Sequence, residues 1–74
     1  MEKDILEKVN DEINQLKREL RRQSHKRGIW ENFGQKEAKK LEDKYSQYRY
    51  NYEYQIVFLL IDGFRYWTQN YTPL

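Results

Sequence analysis

The stretch YRYNYEYQIVFLLIDGFRYW, residues 48–67, decides the fold of this chain. Tyr48, Tyr50, Tyr52, Tyr54, Ile56 and Phe58 fall on every second position, which is the period of a strand. Tyr48, Tyr52, Ile56, Leu59 or Leu60, Gly63 and Trp67 fit helical spacing equally well. A strand needs a pairing partner, and no other segment looks like one. A lone strand would leave its backbone polar groups open along its edges. The stretch is therefore predicted to be helical from about residue 52 to residue 70, with Pro73 beyond its end. Within it VFLLI, Val57 to Ile61, is apolar on every side, so this helix is expected to be covered from several directions.

The cover comes from two further helices. Leu6, Val9, Ile13, Leu16 and Leu20 recur at steps of three and four, with Ile5 widening the stripe, and predict a helix over about 2–26 that Gly28 stops. Lys3–Glu7 and Asp4–Lys8 are opposite-charge pairs four apart, each worth a few tenths of a kcal/mol. Ala38, Leu41, Tyr45 and Tyr48 keep helical spacing on one face, predicting a second helix over about 35–46. Before it, residues 27–34 read as a loop, because Asn32 with Gln35 three residues later resembles a capping box. A break near Ser46–Asn51 lets the third helix fold back. The expectation is one small all-α domain of three helices with a long first helix, self-associated because a chain this short buries little on its own.

Charge is distributed unevenly. KRELRRQSHKR, Lys17 to Arg27, holds six Lys or Arg and one His in eleven positions against a single acid, Glu19, whereas the sixteen residues before it carry five acids and two lysines. Acids crowd the N-terminal half of the first helix and bases its C-terminal end, the arrangement that complements a helix dipole. Such a basic block commonly meets an anionic partner. The formal net charge of +2 is too small to make the argument by itself.

Composition removes several classes of chemistry. With no Cys there is no disulfide and no thiolate metal site, and with one His, His25, only carboxylates remain as ligands and they do not cluster. Neither a cofactor nor a metal is implied, and no nucleophile, general base or phosphate-binding loop is legible, so the chain reads as non-enzymatic. No segment approaches the roughly 18–20 apolar residues that span a bilayer. The acidic N-terminus lacks a signal peptide's apolar core, and a cytoplasmic protein is expected.

The run Arg27-Gly28-Ile29-Trp30-Glu31-Asn32-Phe33-Gly34-Gln35-Lys36-Glu37, followed by Leu41-Glu42-Asp43-Lys44-Tyr45, resembles a motif of small phage and prophage proteins of Gram-positive bacteria. In those, GI(Y/W)ENFGQKE precedes LEDKY, and a C-terminal helix ends in a tryptophan and an Asn-Tyr pair, as Trp67 and Asn70-Tyr71 do here. The similarity covers about half of the chain. It departs in the tyrosine-rich stretch, residues 48–54, and in Thr68, where the pattern has Cys. The resemblance implies a bacterial host cell and an accessory role in infection or lysogeny, and it carries no catalytic residue.

Candidate binding residues follow from the basic block and the aromatics beside it: Lys17, Arg18, Arg21, Arg22, Lys26 and Arg27, with Trp30 and Phe33 as apolar anchors. An acidic host or phage protein is the favoured partner. Nucleic acid, met by the same arginines through its phosphates, is the alternative. A purely structural dimer is the third reading. Trp30 and Phe33 read equally well as a hydrophobic closure between the first two helices. Of the seven tyrosines, Tyr45, Tyr48 and Tyr52 are expected at the core edge, while Tyr50 and Tyr54 are expected to be exposed in a monomer. The latter two, with Val57, Phe58 and Ile61, are the expected self-association residues. Gly34 and Gly63 are read as points of close backbone approach.

Overall fold

The computed structural model describes residues 3–22 and 29–70. Three helices, α1 (Lys3–Arg22), α2 (Ile29–Lys44) and α3 (Gln55–Asn70), form an all-α domain with a long first helix. Among the described residues there is no strand. The chain runs up α1, down α2 and up α3, so α1 and α3 are parallel. Their common end is shown by Lys17, whose Nζ lies 5.2 Å from the centre of the Trp67 ring.

The core is built where the three apolar stripes meet. Ile5, Val9, Ile13 and Leu20 come from α1, Ala38 and Leu41 from α2, and Val57, Phe58, Ile61 and Phe64 from α3, with Tyr45 and Tyr54 from their flanks. Leu6, Leu16, Phe33, Tyr48, Leu60 and Trp67 pack around this cluster partly buried. Full burial of each large apolar side chain stabilises by about 1.5–3 kcal/mol, the term that opposes chain entropy here.

The second helix begins at Ile29, so the loop expected through residue 34 is helical from residue 29 onward. Asn32 and Gln35 lie inside α2 and form no capping box. The reason is Gly34, which looked like a loop residue. A Cβ on Gly34 would overlap the side chain of Thr68, so the glycine is where α2 and α3 touch backbone to side chain. Gly63, the other expected point of close approach, is the opposite case, since a Cβ there meets no atom of the described residues within 4 Å.

The break between α2 and α3 falls where it is expected, and its shape reassigns the tyrosines. Ser46–Tyr48 and Tyr52–Tyr54 are short 3₁₀ turns. Between them Asn51 is extended and its side chain accepts from the Glu53 N–H at 3.0 Å. Gln55 donates to the carbonyls of Arg49 at 2.7 Å and Asn51 at 3.0 Å, holding the turn closed. Because residues 52–54 wind tighter than an α-helix, the register shifts: Tyr52 is 91 % exposed and Tyr54 only 8 %. Tyr54 packs on Tyr48 with ring centres 4.5 Å apart. Both tyrosines were expected the other way round. Of the self-association residues, Tyr54, Val57, Phe58 and Ile61 are buried in the protomer's own core, and Tyr50 alone of the five stands free at 95 % exposure.

Polar links tie the helices at their edges. Arg65 of α3 donates to both carboxylate oxygens of Glu42 on α2, at 2.9 and 3.3 Å, and also reaches Asp62 at 3.2 Å. Glu12 of α1 accepts from the Tyr45 hydroxyl at 3.1 Å and pairs with Lys44. Burial, and then the Glu12 carboxylate, push the Tyr45 hydroxyl up to about 12.

The hydrogen bonds from Arg65 hold the Glu42 carboxyl below its ordinary value of 4.5, although partial burial opposes them. The folded chain therefore takes up this proton less readily than the unfolded one. The contribution is full at neutral pH and is lost as the pH falls from about 4.5 through the folded-state value. Glu42→Gln is expected to cost about 1 kcal/mol near neutral pH. In urea titrations the gap between the two proteins should close as the pH falls below the folded-state value of Glu42. A gap unchanged at acid pH would remove the ion pair from the account.

Candidate functional site

The basic end of α1 is shaped by the burial of its neighbours. Leu20 is fully buried and Leu16 partly so, which leaves Lys17, Arg18, Arg21 and Arg22 to fill the remaining arc of the last two turns. Arg21 and Arg22 sit in the last turn, where the helix dipole favours cations. Arg18, Arg21 and Arg22 together line a shallow depression of about 380 Å³. Arg22 pairs with Glu19 one turn back, yet its side chain stays 75 % exposed.

The aromatic partner of these bases is Trp67 of α3. Lys17 stands over its ring at 5.2 Å, and the Arg21 guanidinium is 5.8 Å from the ring centre. The indole stacks on Phe64 with centres 6.4 Å apart, so a buried ring fixes a partly exposed one. A cation over a Trp face is worth about 0.5–1 kcal/mol at an exposed site. Two cations held this way form a positive surface with an apolar centre, and that combination can take up a carboxylate or phosphate beside an apolar group.

The other expected site residues are distributed differently. Phe33 is half-buried against the core, as a hydrophobic closure requires. Lys26, Arg27 and the side chain of Trp30 lie outside the described residues, as do His25 and residues 23–26 of the expected first helix. Trp67 was missed as a site residue. The signal for it is topological: three antiparallel-connected helices bring the C-terminal ends of α1 and α3 together, and Trp67 is at that end.

Two longer hollows flank α1. Between α1 and α2, Glu12, Leu16, Glu19, Glu37, Lys40 and Lys44 line a space of about 410 Å³ whose charges pair across and along the helices. Between α1 and α3 runs an apolar groove of about 640 Å³ lined by Ile13, Lys17, Leu59, Gly63, Tyr66 and Trp67. Among the described residues no three His, Cys, Asp or Glu come together to hold a metal ion, no buried side-chain N or O lacks a hydrogen-bond partner, and no helix is long and apolar enough to cross a membrane. No family model matches the chain, and no curated protein or solved structure matches it either.

Proposed function

We propose that this chain is a non-enzymatic accessory protein of phage type that acts in the bacterial cytoplasm by binding an acidic protein partner. The observation that carries this reading is the meeting of Arg18, Arg21 and Arg22 around one depression, beside a tryptophan already held under two cations. Guanidinium groups in a cluster suit bidentate recognition of carboxylates. Charge speeds the encounter and the indole offers the apolar anchor. The resemblance of residues 27–45 to phage and prophage proteins supports the cellular setting.

Nucleic acid is the second reading, favoured by the same three arginines, and salt separates it from the first. A chain that neutralises several phosphates loses affinity steeply as salt rises. The third reading, a purely structural dimer that uses the tyrosines and Val57 to Ile61, loses its contacts at Tyr54, Val57, Phe58 and Ile61, which are interior, and keeps Tyr50 and Leu59 exposed.

Immobilised wild-type protein and an Arg18→Glu/Arg22→Glu variant would be compared for capture of partners from a bacterial lysate. Fluorescence anisotropy with labelled duplex and single-stranded DNA would run in parallel. Capture of a discrete protein with affinity lowered by about 10- to 100-fold in the variant is the expected result. Micromolar DNA binding that collapses with salt and is lost in the variant would move the function to nucleic acid. A variant equal to wild type in both assays would remove the basic end from the function.

A further inference from the structure

We infer that the outer face of α3 is a dimer surface, and that its occupant is α3 of a second copy of this chain, crossing antiparallel at Gly63. Ile56, Leu59, Gly63, Tyr66 and Asn70 follow one another at steps of three and four, the spacing of a helix–helix seam, with Tyr52 immediately before them. Leu59 and Tyr66 are each 68 % exposed and Ile56 44 %. Of the charged residues of α3, Arg65 is on the other side, where it reaches Glu42 of α2. Asp62 stands exposed at the edge of this face, three residues after Leu59 and four before Tyr66, and is held by Arg65 at 3.2 Å. The row from Ile56 to Asn70 itself holds no charged residue, on a chain in which charged residues make up 35 % of the sequence.

Gly63 points to helix packing in particular. A glycine inside a helix weakens it, and at Gly34 that weakness is offset by the approach of Thr68. At Gly63 no described residue of the protomer uses the space, because a Cβ there would meet none of their atoms within 4 Å. A second helix crossing at this point could approach backbone to backbone, as ridges and grooves interdigitate on either side.

The face is also self-complementary. Leu59 and Tyr66 flank Gly63 at nearly equal distances along the helix, so a two-fold axis at Gly63 sets Leu59 of one copy against Tyr66 of the other. α1 lies parallel to α3, with Lys17 level with Trp67 and Asn10 beside Leu59 and Leu60 in the shared groove. The same axis therefore brings the half of α1 that carries Asp4, Glu7 and Asp11 opposite the Lys17–Arg21 end of the second copy. Tyr52, Ile56, Leu59 and Tyr66 expose on the order of 500 Å² of side chain, and with the rim of Gln55, Asn70 and Lys17 this nears the roughly 800 Å² per partner of a stable interface. Arg18 and Arg22 stay outside the seam, while Lys17 and Trp67 of the proposed binding end border it.

Sedimentation equilibrium from micromolar to several hundred micromolar is the test. A species of twice the 9.3 kDa chain mass is expected for wild type, with Leu59→Glu/Tyr66→Glu remaining monomeric while keeping its helical circular dichroism. Gly63→Ala gives a second, independent readout of opposite sign. In dilute monomer it should raise the melting temperature, because Ala is the better helix former, while at high concentration it should weaken association at least tenfold. Glu7→Lys should weaken association and Glu7→Lys/Lys17→Glu should recover it. A wild-type chain that stays monomeric throughout, or a dimer indifferent to the changes at Leu59, Gly63 and Tyr66, overturns the proposal.

Discussion

Phe64→Ala is expected to remove a large share of the chain's stability. Phe64 is the largest of the fully buried side chains and sits where α3 meets the groove wall and the stacked Trp67. Truncating a buried Phe to Ala costs about 3–5 kcal/mol, the sum of lost transfer energy and the cavity left behind. A domain of this size has a total stability of only about 4–11 kcal/mol. The loss therefore consumes much of the margin, and there is little surrounding core to collapse into the hole. Urea titration followed by far-ultraviolet circular dichroism would show the midpoint move to low denaturant, with loss of native signal at zero urea at the weak end of that range. A midpoint within about 1 kcal/mol of wild type would mean the core is not organised around this ring.

Gly34→Ala carries the second large effect, against the sign that helix propensity predicts. Ala stabilises a helix interior by about 1 kcal/mol over Gly. Here the added methyl would coincide with the Thr68 hydroxyl, Cβ and methyl together, so no single rotamer change of Thr68 clears it. Thr68 is itself nearly buried and its hydroxyl donates to the Arg65 carbonyl at 2.7 Å. Forcing α2 and α3 apart is an overpacking cost of about 1–3 kcal/mol, and we expect a net loss of about 2 kcal/mol. Thr68→Gly should cost about 1 kcal/mol alone and should partly rescue Gly34→Ala in the double variant, a coupling that a double-mutant cycle reads directly. A Gly34→Ala protein more stable than wild type would refute the contact.

These effects also mark what the sequence could and could not convey. The stripe from Ile5 to Leu20 is long, regular and uninterrupted, so α1 was legible from periodicity alone, as was the break after α2. The helical reading of residues 52–70 rested on the absence of a strand partner, a global argument that local alternation of tyrosines could not override, and α3 itself starts at Gln55. The start of α2 was not legible because Asn32, Gly34 and Gln35 carry local signals for a loop and a cap. Those signals lose to a tertiary requirement, the fit of Gly34 against Thr68, that lies 34 residues away in the chain. The tyrosine register failed for a smaller reason: a 3₁₀ turn at Tyr52–Tyr54 advances each residue by more than an α-helix does, and Tyr52 and Tyr54 change places. At the candidate site, the basic residues of α1 were visible as composition. Their aromatic partner, Trp67, was visible only once the helices had directions.

The close seating of α2 on α3 has a kinetic side. These two helices share the most extensive contact in the molecule and are joined by residues 45–54 alone, so their pairing closes a short loop and requires little prior order. α1 must instead find a surface that does not exist until α2 and α3 have met. It leaves the ribosome before its cover has been made, an amphipathic rod kept dispersed by the charges on its outer side. Assembly is then expected to run hairpin first and α1 last, which gives the variants distinct signatures. Gly34→Ala, inside the hairpin, should chiefly slow refolding, whereas Val9→Ala, on α1, should chiefly hasten unfolding.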